Sequence, residues 1–279
     1  MLKCFVADII FEDNHIVVVI KPQNVSYEDV LADLQTTGYC ASVHRLDQVT
    51  GGVMVFARSS KAAARLSAQI AEGGFEKIYL AVLNGTPKNR TDTLVNYLLK
   101  NEAKGRVEVV PMATVGAKRA ELTYTVLPKA PISAVPEYIT KNEREKEAKE
   151  AKEGATSEER KPLPKSLPLS VAEIKLGTGR THQIRVQMAN IGCPVFGDAR
   201  YGGDKLGKGW NLALWAHKLA FKHPVNEDTM RFVVNPPEIV PWTSFDFDRQ
   251  SHKNRQSAID EPCLATRGKS RGGFDARKS

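Results

Sequence analysis

The chain has 279 residues, 42% of them hydrophobic and 26% charged, and carries a net charge of +8; that is enough apolar chain to bury a core in one large domain or two small ones. From Arg249 to Ser279 eight Lys/Arg stand against three Asp/Glu, so most of the excess lies in the tail, and bulk charge argues only weakly for a polyanionic partner. The four cysteines and six histidines lack disulfide-framework or zinc spacing, Asp8 interrupts the first apolar run too early for a secretory signal, and no stretch reaches the roughly 20 apolar residues of a membrane span, so a cytoplasmic protein with reduced thiols, no metal and no membrane partner is expected.

Ile16–Ile20 reads as a short buried strand ending at Lys21-Pro22. The next ordered stretch is His44-Arg45-Leu46-Asp47-Gln48-Val49-Thr50-Gly51-Gly52, leading into Val53–Ala57. That apolar run shows no polar alternation and predicts a strand covered on both faces. Thr50-Gly51-Gly52 predicts a tight turn where backbone or ligand can approach closely. A carboxylate in the loop feeding such a strand sits at the rim of the core. There it is partly desolvated and within reach of a neighbouring charge, conditions that suit chemistry. Taken alone, Asp47 reads first as a turn aspartate that caps a helix or pairs with Arg45.

Ser59 or Ser60 then caps a helix with Ala62, Ala63, Leu66 and Ile70 on one face, and Gly73-Gly74 stops it. Lys77–Leu83, Arg106–Val110 and Ala120–Val126 alternate as strands. From Pro131 to Pro168 the pattern breaks: five prolines flank a run, Lys141–Lys161, of nearly balanced Lys and Glu. Such a segment cannot bury a core and is read as a solvated insertion. Order resumes with a strand at Ser170–Leu176 and the loop Gly177-Thr178-Gly179-Arg180. Thr181 is expected to cap a short helix with Ile184, Met188 and Ile191 on one face and His182 and Arg185 on another. Trp215–Phe221 is a further strand. His217 and His223 read as structural or surface residues. The segment beyond Phe247 is polar and basic, a tail. Many strands, few helices and no regular βαβ alternation predict an α+β fold with a mixed, mostly antiparallel sheet. The expected division is a catalytic domain over 1–248, with its insertion at 131–168, and a basic tail over 249–279.

Three segments now stand together: His44–Asp47 with Thr50 and Gly52, then Lys77-Ile78-Tyr79-Leu80-Ala81, then Gly177-Thr178-Gly179-Arg180-Thr181-His182-Gln183-Ile184-Arg185. Their order and spacing resemble the RluA-type family of RNA pseudouridine synthases. The likeness extends over Lys21-Pro22, over Ile191–Asp198 with Tyr201-Gly202, and over Leu214-Trp215-Ala216 before His223-Pro224. It implies a pseudouridine-synthase-like sheet with a central cleft, and an isomerase that converts uridine in RNA to pseudouridine. The N1–C1′ bond breaks, the base turns, and C5 joins C1′, with no cofactor and no metal. A monomer acting on ribosomal or transfer RNA is expected.

The resemblance makes Asp47 the essential carboxylate. Such a group can stabilise positive charge at C1′, add to it covalently, or take the C2′ proton. It makes Tyr79 the active-site tyrosine, a ring for stacking on the base and a hydroxyl for late proton transfer. It makes Arg185 the partner that keeps Asp47 ionised, and Arg45 the cation that fills the space left by the flipped uridine. Arg180, His182, Gln183 and Thr50 are expected to contact RNA or support these residues; His44 is equally structural. Gly51 stands where many relatives have Ser, and Trp215 where many have His. No small RNA-binding domain is expected ahead of the catalytic motifs. The competing readings are a non-catalytic RNA-binding chaperone of the same family, and an unrelated hydrolase using Asp47 with His44 or His182. The hydrolase lacks a nucleophile elbow or a second paired carboxylate.

Overall fold

In the computed structural model, residues 7–128, 169–202, 210–239 and 241–245 are described. The expected insertion at 131–168 and the tail at 249–279 lie outside them. The described chain forms one eleven-stranded sheet with few helices. In chain order the strands are β1 (Asp8–Glu12), β2 (Ile16–Lys21), β3 (Ala41–Ser42), β4 (Gly51–Ala57), β5 (Glu76–Asn84), β6 (Thr91–Asn101), β7 (Arg106–Val110), β8 (Lys118–Val126), β9 (Leu169–Leu176), β10 (Leu214–Lys222) and β11 (Thr229–Val233). Across the sheet they lie in the order β1-β2-β4-β10-β5-β9-β8-β6-β7, with β3 on β4 and β11 on β10. Of these pairings only β4 with β10 is parallel, so the mixed, mostly antiparallel α+β sheet expected from the sequence is what forms.

The uninterrupted apolar runs lie in the middle of the core. Every residue of β4 is buried, and β2 alternates strictly. Val17 and Val19 join one cluster with Met54, Phe56 and Ala81. Ile16 and Val18 join another with Val53, Val55 and Phe221. The first face is covered by Val30 and Leu34 of α1 (Tyr27–Gln35) and by Ile184 and Met188 of α3 (Gln183–Asn190). The second is covered by Ala62 and Leu66 of α2 (Ser60–Ala71). A strand sandwiched in this way needs apolar residues at every position, because both sets of side chains leave water. Burial of a side chain such as Phe56 is worth about 1.5–3 kcal/mol. Ser59 caps α2 by accepting the Ala62 N–H, and Gly73 ends it in a left-handed conformation with φ 76°, as the sequence predicts.

Two local expectations are corrected. Gly51 and Gly52 do not form the turn; they open β4 and pair in parallel with Trp215 and Ala216. The turn lies earlier, closed by the Thr50 N–H donating to the Asp47 carbonyl at 2.9 Å. The glycines are needed for close approach: a Cβ on Gly52 would stand 2.3 Å from the Ala216 carbonyl oxygen, and one on Gly51 2.3 Å from the Trp215 ring. Nor does Thr181 cap α3. His182 holds that position in a left-handed conformation with no side-chain cap bond, and Thr181 Oγ1 accepts from Arg45 instead.

Candidate active site

Asp47 sits in the turn before β4, its side chain 24% exposed. Beneath it lies Lys21, the last residue of β2 and fully buried. Lys21 Nζ donates to three carbonyls, Pro22 at 2.8 Å, Val25 at 2.6 Å and Gln48 at 3.1 Å. One ammonium therefore ties the segment after β2 to the residue beside Asp47. Burial lowers the Lys21 pKa to about 8, and the Asp47 charge opposes that shift. An ammonium with three carbonyl acceptors satisfies all its donors, which is how a buried lysine is tolerated.

α3 brings two nitrogens to the same carboxylate. Arg185 Nη1 stands 3.6 Å from Asp47 Oδ2, and His182 Nε2 3.7 Å from it. Both are close enough for direct electrostatics and longer than a hydrogen bond. Arg185 is held from behind by Asp198. Its Nε donates to Oδ2 at 2.7 Å and its Nη2 to Oδ1 at 2.8 Å. This buried two-pronged pair uses the planar fork of the guanidinium and leaves Nη1 for Asp47. Burial alone would lower the arginine's pKa; the bonds to Asp198 and the charges of Asp198 and Asp47 reverse this and raise it. Asp198 Oδ1 also accepts the N–H groups of Arg200 and Tyr201, at 2.9 and 3.1 Å. The Tyr201 ring lies 5.2 Å from the Arg185 guanidinium.

Tyr79 comes from β5 and is buried among the apolar residues of the first core face. Its phenol is pushed up, first by burial and then by the negative charge of Asp47. Tyr79 is thus neutral at any ordinary pH and lies in the field of the same carboxylate. Asp47, Tyr79 and Arg185, three residues far apart in sequence, meet at one place.

The remaining sequence candidates divide. His182 belongs to the cluster; burial lowers its pKa, with Arg185 and Arg200 adding and Asp47 and Asp198 opposing. Arg45 is exposed at the rim and donates to Thr181 Oγ1 at 3.0 Å. Arg180 is exposed, its Nε on the Arg119 carbonyl at 3.0 Å. Gln183 is buried and acts as a strut: its Oε1 accepts from Thr178 Oγ1 and the Arg180 N–H, and its Nε2 donates to the Glu121 carbonyl. Thr50 is buried beside Asp47, and its hydroxyl has no partner among the described residues. His44 is turned into the fold. Its Nε2 accepts the Val55 N–H at 3.1 Å, and burial, then the Lys77 charge, drives its pKa to about 3. A permanently neutral imidazole committed to a strand N–H is structural, so the expected RNA contact is replaced by this one.

Lys21, Asp198 and Tyr201 stand in the motif segments, but the sequence alone gives them no role. The one available signal was a lysine closing an otherwise apolar strand. Nothing local marks Asp198 or Tyr201, whose partners come from other elements.

A family model described as RNA pseudouridylate synthase matches residues 15–190. The uncharacterised RNA pseudouridine synthase YhcT of Bacillus subtilis is 31% identical over 238 residues, 79% of this chain and 66% of that protein; the chain thus spans just under two thirds of its length. The dual-specificity RNA pseudouridine synthase RluA of Haemophilus influenzae is 27% identical over 81% of this chain and 91% of that protein. Among solved structures, human RNA pseudouridylate synthase domain containing 1 superimposes with a TM-score of 0.66 at 20% identity, covering 89% of this chain and 94% of that one. The match at 15–190 takes in Asp47, Tyr79 and Arg185 together, and with it this chain belongs to the RNA pseudouridine synthase family, in its RluA type.

Proposed function

We propose that this protein isomerises uridine to pseudouridine in RNA, with Asp47 as the reacting carboxylate. The observation that carries the reading is the position of Asp47: partly exposed, 3.6 Å from a guanidinium that a second, buried carboxylate fixes in place. Stabilising C1′, adding to it and taking the C2′ proton all require an ionised carboxylate. Arg185 maintains that state when bound RNA displaces water, because its charge acts more strongly in the drier site. Tyr79, neutral and buried, offers a flat ring to the base and a hydroxyl for the last proton transfer, in which N1 gains a proton and C5, now joined to C1′, loses its hydrogen. The uridine must leave its stack, at a cost of a few kcal/mol. Arg45, exposed at the rim and held by the hydroxyls of Thr181 and Tyr27, can exchange these contacts for the vacated space.

Ribosomal and transfer RNA are the proposed substrate classes. One relative is named a ribosomal large subunit pseudouridine synthase C and another a tRNA pseudouridine synthase C. We place the protein in the cytoplasm, with 1–248 as the catalytic domain and 249–279 as a basic tail. The test is release of tritium from RNA containing C5-labelled uridine, since the reaction removes that hydrogen. Wild-type protein should release it and Asp47→Asn should not. RNA that binds without release would replace the isomerase with a binding protein.

A further inference from the structure

Tyr201 joins the groups that surround Asp47. Its ring lies against Arg185, and its N–H donates to Asp198. Its hydroxyl oxygen accepts the Val107 N–H at 2.9 Å and stands 2.9 Å from His182 Nδ1. The side chain is anchored by Val107 of β7 and by His182 and Arg185 at the start of α3, and the backbone by Asp198.

A neutral imidazole carries one N–H and one lone pair, and its neighbours decide which nitrogen has which. Here a neighbour speaks at each nitrogen. At Nδ1, the phenol oxygen has already received the Val107 N–H, while its own hydrogen has Nδ1 as an acceptor at hydrogen-bond distance. A phenol donates more readily than it accepts twice. At Nε2, the facing atom is Asp47 Oδ2 at 3.7 Å. A lone pair there would oppose an anion, whereas an N–H meets an acceptor. Both ends favour the proton on Nε2. The ring has little room to turn, since the side chain is 15% exposed on a left-handed backbone.

We propose that Tyr201 is a positioning residue: it locks His182 as the Nε2–H tautomer and so directs a donor, not a lone pair, at Asp47. The proposal rests on Asp47 being the reacting carboxylate. It assigns the two carboxylate oxygens different work. His182 Nε2 and Arg185 Nη1 converge on Oδ2, and no hydrogen bond reaches Oδ1 from the described residues. Oδ2 is therefore the held oxygen and Oδ1 the one left for the sugar. Without the Tyr201 hydroxyl the imidazole can take its other tautomer, present a lone pair to Oδ2 and push the carboxylate out of line.

Nitrogen-15 NMR of the imidazole in the full chain reads the tautomer directly. The wild type should show His182 neutral with its proton on Nε2; a proton on Nδ1 overturns the proposal without any variant. Tyr201→Phe keeps the ring against Arg185 and removes only the hydroxyl. It should mix the tautomers and lower kcat for tritium release on the order of tenfold while KM moves less than about twofold. An unchanged tautomer population in that variant reduces Tyr201 to a structural part. In a His182→Gln background, which has no tautomer to fix, Tyr201→Phe should cost nothing further in kcat; an undiminished loss there also overturns the proposal. If the wild type releases no tritium, the functional reading fails, and the NMR comparison still decides the role of Tyr201.

Discussion

The two ends of β2 each carry an aspartate beside a histidine, and the two pairs are built differently. At the start of β2, Asp13 is fully used. Its Oδ1 accepts the N–H groups of His15 and Ile16 at 2.7 and 2.8 Å, and its Oδ2 bonds His223 Nε2 at 2.9 Å. At the other end, Asp47 has an arginine and a histidine at 3.6 and 3.7 Å, neither at hydrogen-bond distance. Burial would raise the Asp13 pKa, but the backbone bonds and His223 outweigh it and hold the carboxyl low. Asp13 spends its lone pairs on the fold. Asp47 has its charge balanced and its lone pairs left over, which is the state a carboxylate needs before it meets a substrate.

The sharpest way to break this contrast is to remove each carboxylate in turn. Asp47→Asn should abolish tritium release, a loss beyond about a thousandfold, and leave the thermal midpoint within about 2 °C, since only electrostatic contacts longer than a hydrogen bond are lost. A large drop in midpoint would make Asp47 a structural residue like Asp13. Asp198→Ala attacks the support. It leaves the Arg185 charge buried without its two-pronged partner, which costs about 3–5 kcal/mol and shows as a lower denaturant midpoint together with lost activity. Full stability in that variant would mean that Asp47 alone suffices to hold the arginine. Asp13→Ala should cost about 1–3 kcal/mol through orphaned N–H groups, while activity per folded molecule, measured below the melting range, stays at the wild-type level. Lost turnover with the fold intact would connect the far end of β2 to the chemistry.

The same contrast explains what the sequence could and could not disclose. Strands β2, β4, β5 and β7 to β10 were legible because their apolar residues run unbroken or alternate strictly. β6 was not: its side chains are exposed or half-buried except Leu98, so water imposes no pattern on it. Helix α1 has only Val30 and Leu34 fully buried, though Tyr27, Val30, Leu31 and Leu34 recur at helical spacing and pack on the core. The edge strands β1 and β11 have exposed and half-buried residues only. Asp47, Tyr79 and Arg185 were legible as a set through motifs. Their supports were not, because the Tyr201 hydroxyl is 94 residues from the N–H it accepts, and Lys21 Nζ reaches across 27 residues to the Gln48 carbonyl. Contacts of that separation follow from the sheet order, which the sequence does not spell out.

The smallest predicted effect concerns Lys21, which supports Asp47 from below. Its ammonium ionises near pH 8 in the fold, displaced mainly by burial, and near 10.4 in the unfolded chain. Between those values the unfolded state binds more protons, so this group makes stability rise with pH. Below pH 8 both states are charged and the cost of burying the ammonium is present in full. From pH 8 to pH 9 the gain is about 1 kcal/mol. Cys40, Cys193 and Tyr79, whose pKa values burial raises, slope the other way, because their unfolded forms lose protons first. The wild-type curve alone therefore cannot isolate the lysine. The difference curve against Lys21→Met does: the stability lost in the variant should be greater at pH 9 than at pH 8 by about that 1 kcal/mol. A flat difference would mean that Lys21 stays fully charged across this range, its three carbonyls outweighing its burial.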